Sequence, residues 1–227
     1  MNKQEVRRRI EEVGIIPSIR VSSTDDALFA AEAVSRGGIP IVEVTLTVPE
    51  ATRVISHVVQ RAQEMIVGAG GVLDAETARR CLDAGANFLT SDGLDPETVT
   101  FAVKEDVVVI PGTLTPTDVI AAWKLGSDFV KVVPCGHVGG YSYIRALKVM
   151  FPSVPLIAAG GVNQATAFNF ILAGAVALGI GGELIPREAI RNHQSARIGE
   201  LARRFLDFVK SGKAHLEAHT RRSSQGD

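Results

Sequence analysis

The sequence predicts an α/β fold: a single (β/α)8 barrel with an extra N-terminal helix and a further C-terminal helix. Three observations carry this expectation. Eight short apolar, β-branched runs, at residues 15–20, 41–47, 65–69, 87–90, 107–110, 129–133, 155–158 and 176–180, read as buried strands. A longer stretch with helical spacing follows each of them. No linker or composition break divides the 227 residues, a length near the compact end of the ~250 typical of such barrels. A doubly wound open sheet is the structural rival. It calls for a glycine-rich turn after the first strand, where this chain has Val21-Ser22-Ser23.

The elements follow in order. Before Ile15, the polar segment with Arg7-Arg8-Arg9 and then Glu11-Glu12 reads as a helix with a solvated face, covering the barrel bottom. Asp74, Asp95-Pro96 and Thr115-Pro116-Thr117-Asp118 are helix start signals, because their side chains can accept from the unpaired first-turn N–H groups. Glycines at 37–38, 85, 126 and 174 mark helix ends. Residues 197–209 form a last amphipathic helix. The barrel domain is expected over 1–213, with 214–227 a polar, disordered tail.

Composition excludes several function classes. Lys+Arg 24 against Asp+Glu 25 leaves a net charge of -1, so nothing draws the chain toward nucleic acid or a membrane surface. Cys81 and Cys135 form no CxxC, and the five histidines lack metal-ligand spacing, so no metal, cofactor or disulfide framework is expected. The polar N-terminus is unlike a signal peptide, and no apolar stretch approaches the ~20 residues of a membrane span. The expected location is the cytoplasm.

Lys131 is the most informative residue. It interrupts Phe129-Val130-Lys131-Val132-Val133, a run that should be buried. A buried ammonium is costly unless paired, and the same desolvation makes an amine nucleophile able to form a Schiff base with a carbonyl. A snorkelling or structurally paired lysine is the plainer reading. Alternation along 41–47 puts Glu43 on the face opposite Val42, Val44 and Leu46, so it points into the barrel. The second and sixth strands share an interior layer, which lets Glu43 and Lys131 meet. Such a pair is either structural or the carboxylate and amine of Schiff-base chemistry. Glycine turns after the last two strands, at Gly160-Gly161 and Gly181-Gly182, offer backbone N–H donors where barrels bind anions. Gly68-Ala69-Gly70-Gly71 is a third such turn.

These residues together resemble the 2-keto-3-deoxy-6-phosphogluconate / 4-hydroxy-2-oxoglutarate aldolases, which are class I pyruvate aldolases. The matching stretches are Gly37-Gly38, Glu43 to Pro49, Val67 to Gly70, Pro111-Gly112, Phe129-Val130-Lys131, Pro134 with Gly139-Gly140, Gly160 to Asn163, and Gly181-Gly182. The resemblance implies a metal-free barrel, a homotrimer, Lys131 as Schiff-base lysine and Glu43 as proton shuttle. The departures lie in the substrate grip. Gly71 replaces a usual threonine, Asp92 a proline, Val133 a frequent aromatic, and Ala159 and Glu183 the frequent threonine and serine of the phosphate cradle. Thr47 stands where some members carry a carboxylate-binding arginine.

The leading reading is therefore a lyase cleaving a 2-keto-4-hydroxy acid to pyruvate and an aldehyde. A catalytically impaired binding homologue and a sugar-phosphate isomerase or epimerase are the alternatives. The expected substrate contacts are Thr47, Gly71, Arg20, Asp92, Gly160, Gly161, Gly181 and Gly182. Arg20 is the candidate carboxylate anchor, Asp92 is a rim acceptor for sugar hydroxyls, and Glu183 disfavours a phosphate tail. Trp123 and Cys135 read as packing, and His137 as a residue near the mouth.

Overall fold

The computed structural model describes residues 1–62 and 64–223. Its strands are β1 (Ile15–Ile19), β2 (Ile41–Thr45), β3 (Ile66–Gly70), β4 (Phe88–Thr90), β5 (Val108–Ile110), β6 (Gly112–Thr113), β7 (Val130–Val132), β8 (Leu156–Ala159) and β9 (Ala175–Ile180). All pair in parallel, in the order β5-β4-β3-β2-β1-β9-β8-β7-β6. Only Pro111 separates β5 from β6, at the two ends of that order, so the sheet closes on itself. The expected barrel is borne out. The fifth strand was read as ending at Ile110, and its continuation as β6 is a correction. Proline has no N–H to give to the ladder. The break lets β5 pair with β4 while β6 pairs with β7, and the Pro111 carbonyl accepts from Lys131 N at 2.9 Å.

Around the barrel run α1 (Lys3–Val13), α2 (Thr24–Arg36), α3 (Ala51–Arg61), α4 (Ala75–Asp83), α5 (Pro96–Lys104), α6 (Pro116–Lys124), α7 (Tyr141–Met150), α8 (Ala167–Leu172), α9 (Arg187–Arg191) and α10 (Ser195–Ser223). The start signals act as read. Asp74, Asp95 and Thr115 each accept from a first-turn N–H, and Thr115 with Asp118 completes a capping box. Helix α1 covers the barrel bottom through buried Val6 and Ile10. It is anchored by Lys3, 3.1 Å from the buried Asp128, whose other task is to accept from Val109 N. Phe88, Phe129, Phe170 and Phe205 are fully buried in the core.

Helix α10 continues through Ser223, so 214–223 is helical rather than a disordered tail, and 224–227 lies outside the described residues. Lys213 donates to the carbonyls of Glu11 and Glu12 and ties α10 to the end of α1. Gly37 lets α2 approach α10, since a Cβ there would stand 2.5 Å from Ala202 Cβ.

Candidate active site

Strand register builds the site. Ser18 on β1 lies beside Glu43 on β2, which lies beside Gly68 on β3; Gly112 on β6 lies beside Lys131 on β7. The burial expected for both charged side chains is real, with Glu43 7% and Lys131 6% exposed. Glu43 fits because Gly70 has no side chain, as a Cβ there would come within 2.4 Å of Glu43 Oε1. Its carboxylate accepts from Ser18 Oγ at 2.8 Å and from Thr90 Oγ1 at 2.7 Å.

Glu43 and Lys131 do not form an ion pair, which corrects the expected direct meeting. Thr90, at the end of β4, stands between them. Its hydroxyl donates to Glu43 and accepts from Lys131 Nζ at 3.5 Å. The carboxylate on Lys131 is Asp92, with Oδ1 2.8 Å from Nζ. Its other oxygen, Oδ2, lies 3.4 Å from Arg20 Nη2. The loop that carries Asp92 is pinned, because Ser91 Oγ donates to Gly93 O at 2.6 Å and Gly112 packs on the Asp92 backbone too closely for any Cβ. Partial burial pushes the Asp92 carboxyl up, but the Lys131 ammonium and Arg20 outweigh it and hold it below the ordinary carboxylate value.

A cleft of about 380 Å³ opens at the C-terminal end of the strands. Lys131, Glu43, Asp92, Arg20, Gly160, Gly181 and Gly182 all line it. Gly161 lines an adjoining cleft of about 410 Å³ with Asn163 and Glu183; the two clefts share Gly160, Gly179, Gly181 and Gly182. Thr47 lies elsewhere, in a neighbouring cleft of about 640 Å³ with Arg20, Arg187 and Arg191. Its hydroxyl is spent on Thr45 Oγ1, which itself donates to Ile19 O. Gly71 faces a groove lined by residues of α3 and α4 rather than the Lys131 cleft. The glycine turns also have a packing role. Gly136 N donates to Gly160 O at 2.7 Å, and a Cβ on Gly136 or Gly161 would meet the other's Cα at 2.8 Å.

Ser18, Thr90, Ile185 and Arg187 escaped the sequence reading. A hydroxyl closing or interrupting an apolar strand was the available signal for the first two; Ile185 and Arg187 come from a loop and a helix start, whose direction no periodicity gives. Cys135 is filler as read, buried against Gly160 O with its thiol pushed up to about 11 by burial. His137 is exposed and off the catalytic cleft, and Trp123 packs on the core.

The family model described as "Aldolase: KDPG and KHG aldolase" matches residues 6–201. The chain belongs to the KDPG and KHG aldolase family. A 2-dehydro-3-deoxy-phosphogluconate aldolase of Treponema pallidum is 28% identical over 88% of this chain and 95% of its own length. The KHG/KDPG aldolase of Escherichia coli K12 is 30% identical over 86% of this chain and 92% of its own. Among solved structures, a KDPG aldolase from Legionella pneumophila, with pyruvate captured as a covalent carbinolamine intermediate, superposes with a TM-score of 0.81 at 29% identity. That match covers 87% of this chain and 96% of the other. This aldolase-family chain is a lyase, and the isomerase and catalytically impaired readings are not favoured.

Proposed function

We propose that this aldolase uses Lys131 as its Schiff-base nucleophile on a 2-keto-4-hydroxy acid, releasing pyruvate and an aldehyde. One observation carries the assignment: Lys131 is the lysine inside a buried barrel strand, and it lines the cleft at the strands' C-terminal end. The amine attacks the C2 carbonyl, and loss of water leaves an iminium that acts as electron sink. Glu43, aligned by Ser18 and Thr90, takes the C4 hydroxyl proton as the C3–C4 bond breaks.

Arg20 lines both the catalytic cleft and its arginine-bearing neighbour, and Arg187 does the same. A guanidinium fork at that junction suits the keto acid's carboxylate. The distal tail lies toward the glycine turns. Ala159 offers no hydroxyl there and Glu183 adds negative charge, which favours an uncharged polyhydroxyl tail over a phosphate. The turns' own N–H groups are the counterweight. The comparison that tests this is kcat/KM for 2-keto-3-deoxygluconate against its 6-phosphate, with the unphosphorylated acid expected to win. A strong preference for the phosphate would overturn the tail assignment. We place the enzyme in the cytoplasm as a homotrimer, the first from its likeness to bacterial metabolic aldolases, the second by family resemblance. Among the described residues, no helix is long and apolar enough to cross a membrane.

A further inference from the structure

We propose that Asp92 is the proton carrier for imine formation at Lys131, leaving Glu43 to serve the carbon–carbon step. This rests on the aldolase reading above and divides its proton transfers between two carboxylates. Asp92 Oδ1 is 2.8 Å from the reacting nitrogen, whereas Glu43 reaches it only through Thr90, whose hydroxyl donates to Glu43 and accepts from Lys131 Nζ at 3.5 Å. Of the two carboxylates, Asp92 is thus the one in direct contact with the nitrogen. The loop that carries Asp92 is also packed in place. Gly112 packs on its backbone, Ser91 closes its loop, and Arg20 holds its second oxygen. Lys131 is buried, while the Asp92 side chain is 52% exposed, so the carboxylate links the nitrogen to solvent protons.

The steps balance without any further reagent. Asp92 takes one proton from the Lys131 ammonium, leaving a neutral amine and a carboxylic acid. The nitrogen lone pair forms the C–N bond to C2 as the carbonyl π pair moves onto oxygen. That oxygen takes one of the two remaining nitrogen protons and becomes the carbinolamine hydroxyl. Asp92 then returns its proton to this hydroxyl, the C–O bond breaks, and water leaves with the bonding pair. The nitrogen lone pair closes the C=N bond, and the iminium rests beside a regenerated Asp92 carboxylate. Its charge is thus countered by the same group that countered the ammonium.

Borohydride quench-flow with saturating pyruvate tests this on the full-length wild type, Asp92→Asn, Asp92→Ala and Glu43→Gln. Both Asp92 variants should accumulate reduced adduct ~10²–10⁴-fold more slowly, the usual contribution of a general acid–base group. Added formate should recover part of the rate in Asp92→Ala, where it can enter the vacated space, and not in Asp92→Asn. Glu43→Gln should form adduct near the wild-type rate yet lose exchange of the pyruvate C3 protons in D2O. Circular dichroism confirms that each variant is folded, and formate rescue of Asp92→Ala would itself show an intact site. Wild-type adduct rates in both Asp92 variants, or a defect in Glu43→Gln as deep as theirs, would overturn the assignment. If the wild type traps no pyruvate, the aldolase reading of Lys131 fails. If the wild type traps and the Asp92 variants match it, only the role of Asp92 fails.

Discussion

Glu43 and Lys131 work at the residue scale because their neighbours differ. Glu43 is held by two neutral hydroxyls, an arrangement that orients a carboxylate without neutralising it. Glu43→Gln keeps that shape and removes the base, so turnover should fall ~10²–10⁴-fold in a coupled pyruvate assay while imine trapping survives. Unchanged turnover would reduce Glu43 to a structural group. Arg20 is exposed at the cleft's edge and shares Asp92 with Lys131. Arg20→Ala should raise the KM for the keto acid more than it lowers kcat, since the anchor binds ground and transition states alike. A drop in kcat with KM unmoved would place the carboxylate elsewhere and leave Arg187 as the candidate. The lysine was legible in sequence, because a charge in a β-branched run is conspicuous. Its partner was not, because Asp92 follows the strand end, where alternation no longer gives direction.

The elements divide the barrel into a catalytic end and a structural end. Helix α1 closes the latter with Ile10, which has no exposed surface. Ile10→Ala should cost about 2–5 kcal/mol in urea unfolding, the range for truncating a buried aliphatic side chain, and leave kcat unchanged. A matching loss of kcat would mean that the two ends are coupled through the barrel. Most strands were readable from apolar runs bounded by turn residues, and the helix starts from Asp and Thr caps. Gly112-Thr113 was not, since two residues after a proline carry no pattern and become a strand only when Lys131 pairs alongside. The extension of α10 beyond Lys213 was hidden for the opposite reason. Its surface from 214 to 219 is exposed, so no apolar stripe marks it, and its link to α1 runs through Lys213 and two backbone carbonyls.

At the scale of the whole molecule, the barrel brings β1, β2, the end of β4, β7 and the loops after β8 and β9 to one mouth. No single segment contains the site. Leu73, 66% exposed in the groove that Gly71 and Val48 also line, is an apolar group suited to a subunit contact. Light scattering should give three times the chain's 24.1 kDa; a monomer at micromolar concentration would contradict the trimer. The central claim is covalent: pyruvate joins this chain at Lys131. Its most direct test is incubation with pyruvate and borohydride, followed by intact mass and peptide mapping of the wild type and Lys131→Met. The account predicts one reduced pyruvyl group per chain, on the peptide containing Lys131, and none on a folded Lys131→Met. A wild type that gains no mass, a label mapped to Lys124 or Lys148, or trapping that persists in Lys131→Met would contradict it.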